Sequence, residues 1–272
     1  MAPTITVCLL LCGGIAAAQT PTHEFSAYAL GGLSSVQYSA PSSMKVAGGF
    51  GGGAGFGYTY FMTPQWGIST GLEFSLSSAT LTADNYQEKY ELLSFHNMTF
   101  ISDFVGYEEK QSATYLHIPL MLRFQTTGTH RFQAGAGLKL GFALSGSYAG
   151  TIKSLTTSGA FPKTEIIVGG EPQHALTEYP NESYSGDLSL GLNVAIAVDA
   201  GMRWGLSEKL GLYTGVYLDY GVVNVLPSPT AHLVEYDPNS GKLTYNSAFT
   251  TQLLDKANLF SVGVKVGLAF GL

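Results

Sequence analysis

The last fourteen residues, "LFSVGVKVGLAFGL", alternate without a break. Phe260, Val262, Val264, Val266, Leu268, Phe270 and Leu272 share one parity, and Ser261, Gly263, Lys265, Gly267, Ala269 and Gly271 share the other. Successive side chains of a strand point to opposite faces, so this segment has one face of hydrocarbon and one of small or charged groups. The same rule governs "RFQAGAGLKLGFAL" and "DLSLGLNVAIAVDAGMRWG". These period-2 runs exceed the usual strand of about 5–6 residues.

Eight such strands are expected, near residues 24–34, 50–62, 65–78, 114–126, 130–149, 188–204, 208–223 and 258–272. Their connections alternate in length. Short turns fall at Thr63–Trp66, Thr126–His130 and Gly205–Lys209, and longer connections cover about 35–49, 79–113, 150–187 and 224–257. An even number of strands with short turns on one side and long loops on the other describes a transmembrane barrel. The last long connection contains a hairpin of its own, "HLVEYDPNSGKLTY", turning at Asp237 to Gly241.

Which face meets lipid follows from composition. Charged residues make up only 12% of the 272, hydrophobic residues 45%, and there are 34 glycines; roughly a quarter charged is usual for a soluble domain. A soluble sandwich would present Lys, Glu and Thr on its outer face, whereas the polar face here is mostly Gly, Ala and Ser. Phe132 to Phe142 and Phe260 to Phe270 each span ten residues of the oily face. At a tilt near 40° that rises roughly 25 Å, the height of a membrane apolar band. Trp66, Phe124, Phe132, Trp204 and Phe270 cluster toward the short turns, as an aromatic girdle does. The expected fold is all-β, an eight-stranded antiparallel up-and-down transmembrane barrel with long outer loops.

The N-terminus, "MAPTITVCLLLCGGIAAAQT", has an apolar core ending at Ala16-Ala17-Ala18. That is secretory signal anatomy, so residues 1–18 are expected to be cleaved and 19–272 to form the barrel domain in the outer membrane. Cys8 and Cys12 both lie in this leader; "LLLC" has Leu where a lipobox needs a small residue, and cleavage after Ala18 leaves no thiol for disulfides or metals. The net charge of -6 argues against nucleic acid as a partner.

The run "YLHIPLMLRF" (115–124), preceded by "YTYFMTPQWGISTGLEFS", resembles the outer-membrane β-barrel family of Bacteroidota-type bacteria, often called PorT-like. That family's strand reads Tyr-Leu-(acidic)-Ile-Pro-Leu-(apolar)-Leu-(basic)-aromatic. The resemblance implies an eight-stranded outer-membrane barrel over nearly the whole mature chain and suggests an accessory of a protein-secretion apparatus. It departs at His117, where the family carries Glu, and no carboxylate role carries over to that position.

If the oily face meets lipid, the ionisable residues meet one another. By parity the lumen holds Glu73, Asp199 and Asp219 against Arg123, Arg131, Lys139, Arg203 and Lys265, with His117 nearby. Eight strands enclose a space that side chains just fill, and isolated ions there are costly, so a salt-bridged structural plug is expected. The alternative is a narrow conduit favouring anions, since bases outnumber acids five to three in this set. Pro119 cannot donate to the ladder and is expected to sit at a bulge.

Catalytic and cofactor chemistry find no signature. His96, His174 and His232 fall in different long connections, which is thin support for an outer-membrane lipid hydrolase or acyltransferase, and the six histidines show no metal-ligand spacing. "GGFGGGAGFG" lacks the Lys-Ser/Thr of a phosphate loop, and the sequons at Asn97 and Asn181 do not match an outer-membrane setting. The expectation is no enzyme, no cofactor and no metal. The acidic connections 79–113 and 150–187 carry aromatic and aliphatic residues such as Tyr90, Phe95, Phe104, Phe161 and Ile166 that look exposed. They suit a membrane-anchored platform whose loops engage an external or envelope protein, beside contacts with outer-membrane lipid and lipopolysaccharide.

Overall fold

A computed structural model describes residues 22–38, 40–92, 98–161, 166–226, 229, 231–254 and 256–272. Residues 1–18 with both cysteines, and His96, Phe95 and Asn97, lie outside the described residues. The strands are β1 (Thr22–Tyr38), β2 (Lys45–Phe61), β3 (Trp66–Leu92), β4 (Met98–Gln125), β5 (His130–Phe161), β6 (Ile166–Val168), β7 (Glu178–Asp187), β8 (Asn193–Gly205), β9 (Leu210–Gly221), β10 (Val234–Asp237), β11 (Lys242–Tyr245) and β12 (Ala257–Gly271). Eight of them close a ring in the order β1-β2-β3-β4-β5-β8-β9-β12, every neighbour antiparallel, with β12 returning to β1.

The short turns are fixed by side-chain acceptors. Thr63 Oγ1 accepts from the Trp66 amide at 2.9 Å, Thr126 Oγ1 from that of Phe132 at 3.0 Å, and Ser207 Oγ from that of Leu210 at 3.1 Å. Each hydroxyl occupies an amide that the ladder leaves unpaired at the turn. The girdle stands next to these turns, with the Trp66 and Phe124 rings 5.0 Å apart.

Orientation around the ring is uniform. Val264 is 58% exposed on the outside, whereas its neighbour Lys265 is 8% exposed on the inside. The same contrast separates Ile196 and Leu140 from Asp199 and Lys139. The apolar face looks outward, as lipid requires.

Three strands continue far beyond the apolar band. β4 has 28 residues, which at about 3.3 Å each and a tilt near 40° rise roughly 70 Å. The connections expected at 79–113 and 150–187 are therefore largely strand, paired β3 to β4 and β4 to β5, with β6 and β7 adding to β5. β7 and β8 follow one register along β5, from Ser147↔Asp187 to Gly141↔Asn193, interrupted by residues 188–192. The strand expected from 188 accordingly begins at Asn193. The hairpin expected at 237–241 is present as β10–β11.

In the upper region the apolar face turns inward. Leu81, Phe100, Phe104, Tyr107, Ile152 and Leu155 are buried there against Leu233, Tyr236, Phe249 and Leu254 of the last connection. Phe104 thus belongs to a core instead of an exposed loop, and Tyr90 is half-buried. The alternation slips in two places. Between Thr114 and Tyr115 the β4–β5 register shifts by one residue. Higher up, two consecutive residues face away from the core on each of three strands (Asp84–Asn85, Val105–Gly106 and Lys153–Ser154) with register kept. Gly106, at φ +64°, is the pivot of that bend. The bulge expected at Pro119 is absent: Glu73↔His117 and Thr70↔Leu120 hold one register, and only the pairs of Gly71 and Leu72 drop out beside the proline.

Candidate functional site: the charged lumen and the cap above it

The nine residues expected in the lumen are distributed over β3, β4, β5, β8, β9 and β12. Lys139 reaches Glu73 at 2.6 Å and Asp219 at 2.7 Å, bridging strands that are not neighbours in the ring. Asp199 receives Arg123 on one oxygen and Lys265, at 3.3 Å, on the other. Tyrosines fill the remaining positions. Tyr28 donates to Glu73 at 3.1 Å, Tyr213 donates to Asp199 at 3.3 Å, and the Lys265 ammonium lies 4.1 Å from the Tyr28 ring centre.

His117 lies directly across the ladder from Glu73 but hydrogen-bonds elsewhere, to Ser75 and Asn193, each at 3.2 Å. Nearer the short turns, Arg203 Nε sits 3.0 Å from Glu24 Oε2. Glu24 is absent from the sequence-derived set, although it shares its parity with Ser26 and Tyr28, and the outward Phe25 and Ala27 mark the opposite face. Arg131 stands at the mouth, where its Nε donates to the Gly128 carbonyl at 2.8 Å, and lines a 210 Å³ vestibule with Arg203, Glu24 and Glu208.

With Glu24 included and Arg131 at the mouth, the enclosed set has four acids (Glu24, Glu73, Asp199, Asp219) and four bases (Arg123, Lys139, Arg203, Lys265). The excess of base that favoured anions is gone. The cavities left between these groups measure about 40, 30 and 30 Å³. A water needs on the order of 10–15 Å³ by such a measure, so each holds one to a few waters and no hydrated solute.

Above the lumen, Glu109 is completely buried. It accepts from Tyr107 at 2.9 Å, Gln111 at 2.8 Å, Tyr184 at 3.1 Å and Ser247 at 2.6 Å, and its oxygens lie 3.2 and 3.3 Å from the Ala248 amide. Burial, and then the neighbouring carboxylate, hold the Tyr107 and Tyr184 phenols well above their ordinary pKa, so both remain donors. Glu88 accepts from the Leu233 amide at 2.9 Å and faces His232 Nδ1 at 3.3 Å. Tyr90 accepts from the Tyr236 amide at 2.7 Å and stacks on His232 at 4.1 Å. The 224–257 connection is thus pinned into the cap by two carboxylates and a phenol.

Two of the three candidate histidines are described. His232 is taken up by the Glu88 and Tyr90 contacts, and His174 lies in the β6–β7 connection. Among the described residues no group of three His, Cys, Asp or Glu side chains is placed to hold a metal ion.

Among solved structures the chain is similar to OprG of Pseudomonas aeruginosa (12% identity, 93% of this chain and 95% of that one, TM-score 0.37). It is also similar to a major outer membrane protein of Thermus thermophilus (11%, 92% and 99%, TM-score 0.36) and to Ail of Yersinia pestis (10%, 93% and 98%, TM-score 0.34). No curated protein matches it. The family described as outer membrane protein beta-barrel domain matches residues 17–226, and the chain belongs to that family.

Proposed function

We propose that this outer-membrane barrel is a non-enzymatic platform that holds its extended sheet outside the membrane for an external or envelope protein. The observation that carries the reading is the continuation of β3, β4 and β5 beyond the apolar band as a packed sheet with its own inward core. A wall built only to cross the bilayer has no need of that sheet. Its outward side keeps Val105, Ile166 and Ile167 exposed above the lipid-facing belt. Export through cleavage of the 1–18 leader belongs to the same proposal, and the PorT-like strand "YLHIPLMLRF" supports an envelope-side partner, a secretion apparatus included.

A photo-crosslinking residue at Val105 in intact cells should capture a discrete protein, whereas the same residue at Leu140 should capture lipid alone. Capture of no protein from Val105 or from Ile167 removes the platform. Planar bilayers separate this reading from a small-solute channel: the wild-type protein is expected to give no discrete conductance, and a robust single-channel step would favour the channel.

A further inference from the structure

At the short-turn end of the barrel two arginines stand directly across the ladder from each other. Arg131 of β5 pairs with Arg203 of β8, and both line the vestibule at the mouth. Like charges placed opposite one another on neighbouring strands destabilise a sheet, and an anion between them relieves the repulsion. The protein supplies one only in part. Glu24 Oε2 lies 3.0 Å from Arg203 Nε, yet that Nε has no hydrogen-bond partner among the described residues, so the contact is ionic without alignment. Arg131 forms no ion pair among the described residues, and its Nε donates to the Gly128 carbonyl at 2.8 Å instead.

The vestibule holds this pair in place. Arg203 is 5% exposed, and a Cβ on Gly211 would lie 2.7 Å from its Cζ, so the glycine makes room for the guanidinium against the wall. Glu24 and Phe61 form the floor, because they also line the 40 Å³ cavity that follows in the lumen. Glu208 stands exposed on the rim, in the β8–β9 turn, and pairs with neither arginine. Two guanidinium groups against the one carboxylate in contact leave a single positive charge. The space of 210 Å³ holds on the order of a dozen waters, so it admits a short peptide end where the lumen cavities do not.

We infer that the vestibule binds the terminal carboxylate of a peptide. The short turns of an outer-membrane barrel face the periplasm, so the peptide reaches in from that side. Its carboxylate lies between the two guanidiniums, whose forked donors match a planar pair of oxygens. Phe61 gives the terminal side chain an apolar wall, and the Thr127 hydroxyl gives the peptide group a partner. One unbalanced positive charge suits one carboxylate. A phosphate monoester brings roughly two negative charges, and the second would face Glu24. The inference stands apart from the platform reading, since it concerns the opposite end of the barrel.

The test is an NMR titration of the folded chain in detergent micelles, following the Nε–Hε resonances of Arg131 and Arg203. Dialanine should shift both resonances saturably, and dialaninamide, which lacks the carboxylate, should bind about tenfold more weakly. Arg131→Gln should weaken dialanine by about the same factor without lowering heat resistance on unboiled gels, because it removes a repelling neighbour and breaks no ion pair. Equal binding of dialanine and its amide, binding indifferent to Arg131→Gln, or inorganic phosphate bound more tightly than dialanine would each overturn the inference. Tetra-alanine should bind as well as dialanine; binding about tenfold weaker would overturn the peptide end in favour of a free small solute. Glu208→Gln supplies a second variant. It removes the rim carboxylate that repels the ligand and should tighten dialanine severalfold, and unchanged affinity counts against a carboxylate in this vestibule.

Discussion

Glu109 and Ser247 are 138 residues apart and meet at 2.6 Å inside the cap, with the carboxylate sealed from solvent. Five partners converge on that carboxylate: three hydroxyls, a side-chain amide and a backbone amide. Removing the acceptor strands every one of these buried donors at once. Glu109→Ala should therefore weaken docking of the 224–257 connection by on the order of 3 kcal/mol. Limited proteolysis reads this as faster cleavage near residues 240–254, with the barrel's heat resistance retained. Cleavage at the wild-type rate would show that the connection is held by its apolar contacts alone.

Asp199 plays the corresponding part in the lumen, where Arg123 and Lys265 approach its two oxygens and Tyr213 adds a third contact. Breaking a buried pair by removing one member costs about 3–5 kcal/mol, because the stranded charge stays enclosed. Asp199→Ala is expected to lower the temperature at which the folded band disappears on unboiled gels. A second change, Lys265→Met, should recover part of the loss by removing one of the stranded charges. Unchanged heat resistance of Asp199→Ala would mean that these pairs add nothing to the barrel's stability.

The membrane-spanning half was legible in the sequence because alternation is a local signal, and lipid demands it along the whole circumference. Val264 and Lys265 reveal the two faces without reference to any other residue. The cap was not legible for the opposite reason. Its inward face contains Glu109, Gln111 and Tyr107 beside Phe100 and Phe104, and the parity slips at Gly106, so no single period runs through it. Acidic residues such as Glu88 and Glu109 read as solvated loop charges until their partners, contributed from around residues 232–248, are brought across.

Gly106 invites a separate test. At φ +64° an L side chain is strained, and a Cβ there would lie 2.6 Å from Lys153 Cδ. The lysine can move aside, but the backbone conformation remains, at a cost of about 1–2 kcal/mol. Gly106→Ala should loosen the upper sheet, seen as faster amide exchange over residues 98–107 and 152–161, with no change below Thr114. Gly106→Asn, which tolerates the left-handed region better, should fall between the two. Equal exchange in all three proteins would show that the bend does not depend on this conformation.

Glu88 makes docking of the last connection pH-dependent in a direction set by its surroundings. Burial raises its pKa above the ordinary 4.5, against the lowering influence of His232 and of the Leu233 and Val234 amides. A group whose docked pKa lies above its free value favours docking when protonated. Its contribution is fully present below pH 4.5 and is lost as pH rises through the docked pKa. His232, Glu235, Tyr86 and Tyr90 surround the site among the described residues, and of these four side chains the histidine opposes the trend, together with the Leu233 and Val234 amides. Amide exchange at Leu233, corrected for its intrinsic pH dependence, should accordingly show greater protection near pH 4.5 than near pH 7. Glu88→Gln cannot titrate and should flatten that difference while keeping an acceptor for the Leu233 amide. Protection that increases with pH in the wild type would place the His232 attraction above the burial penalty and reverse the assignment.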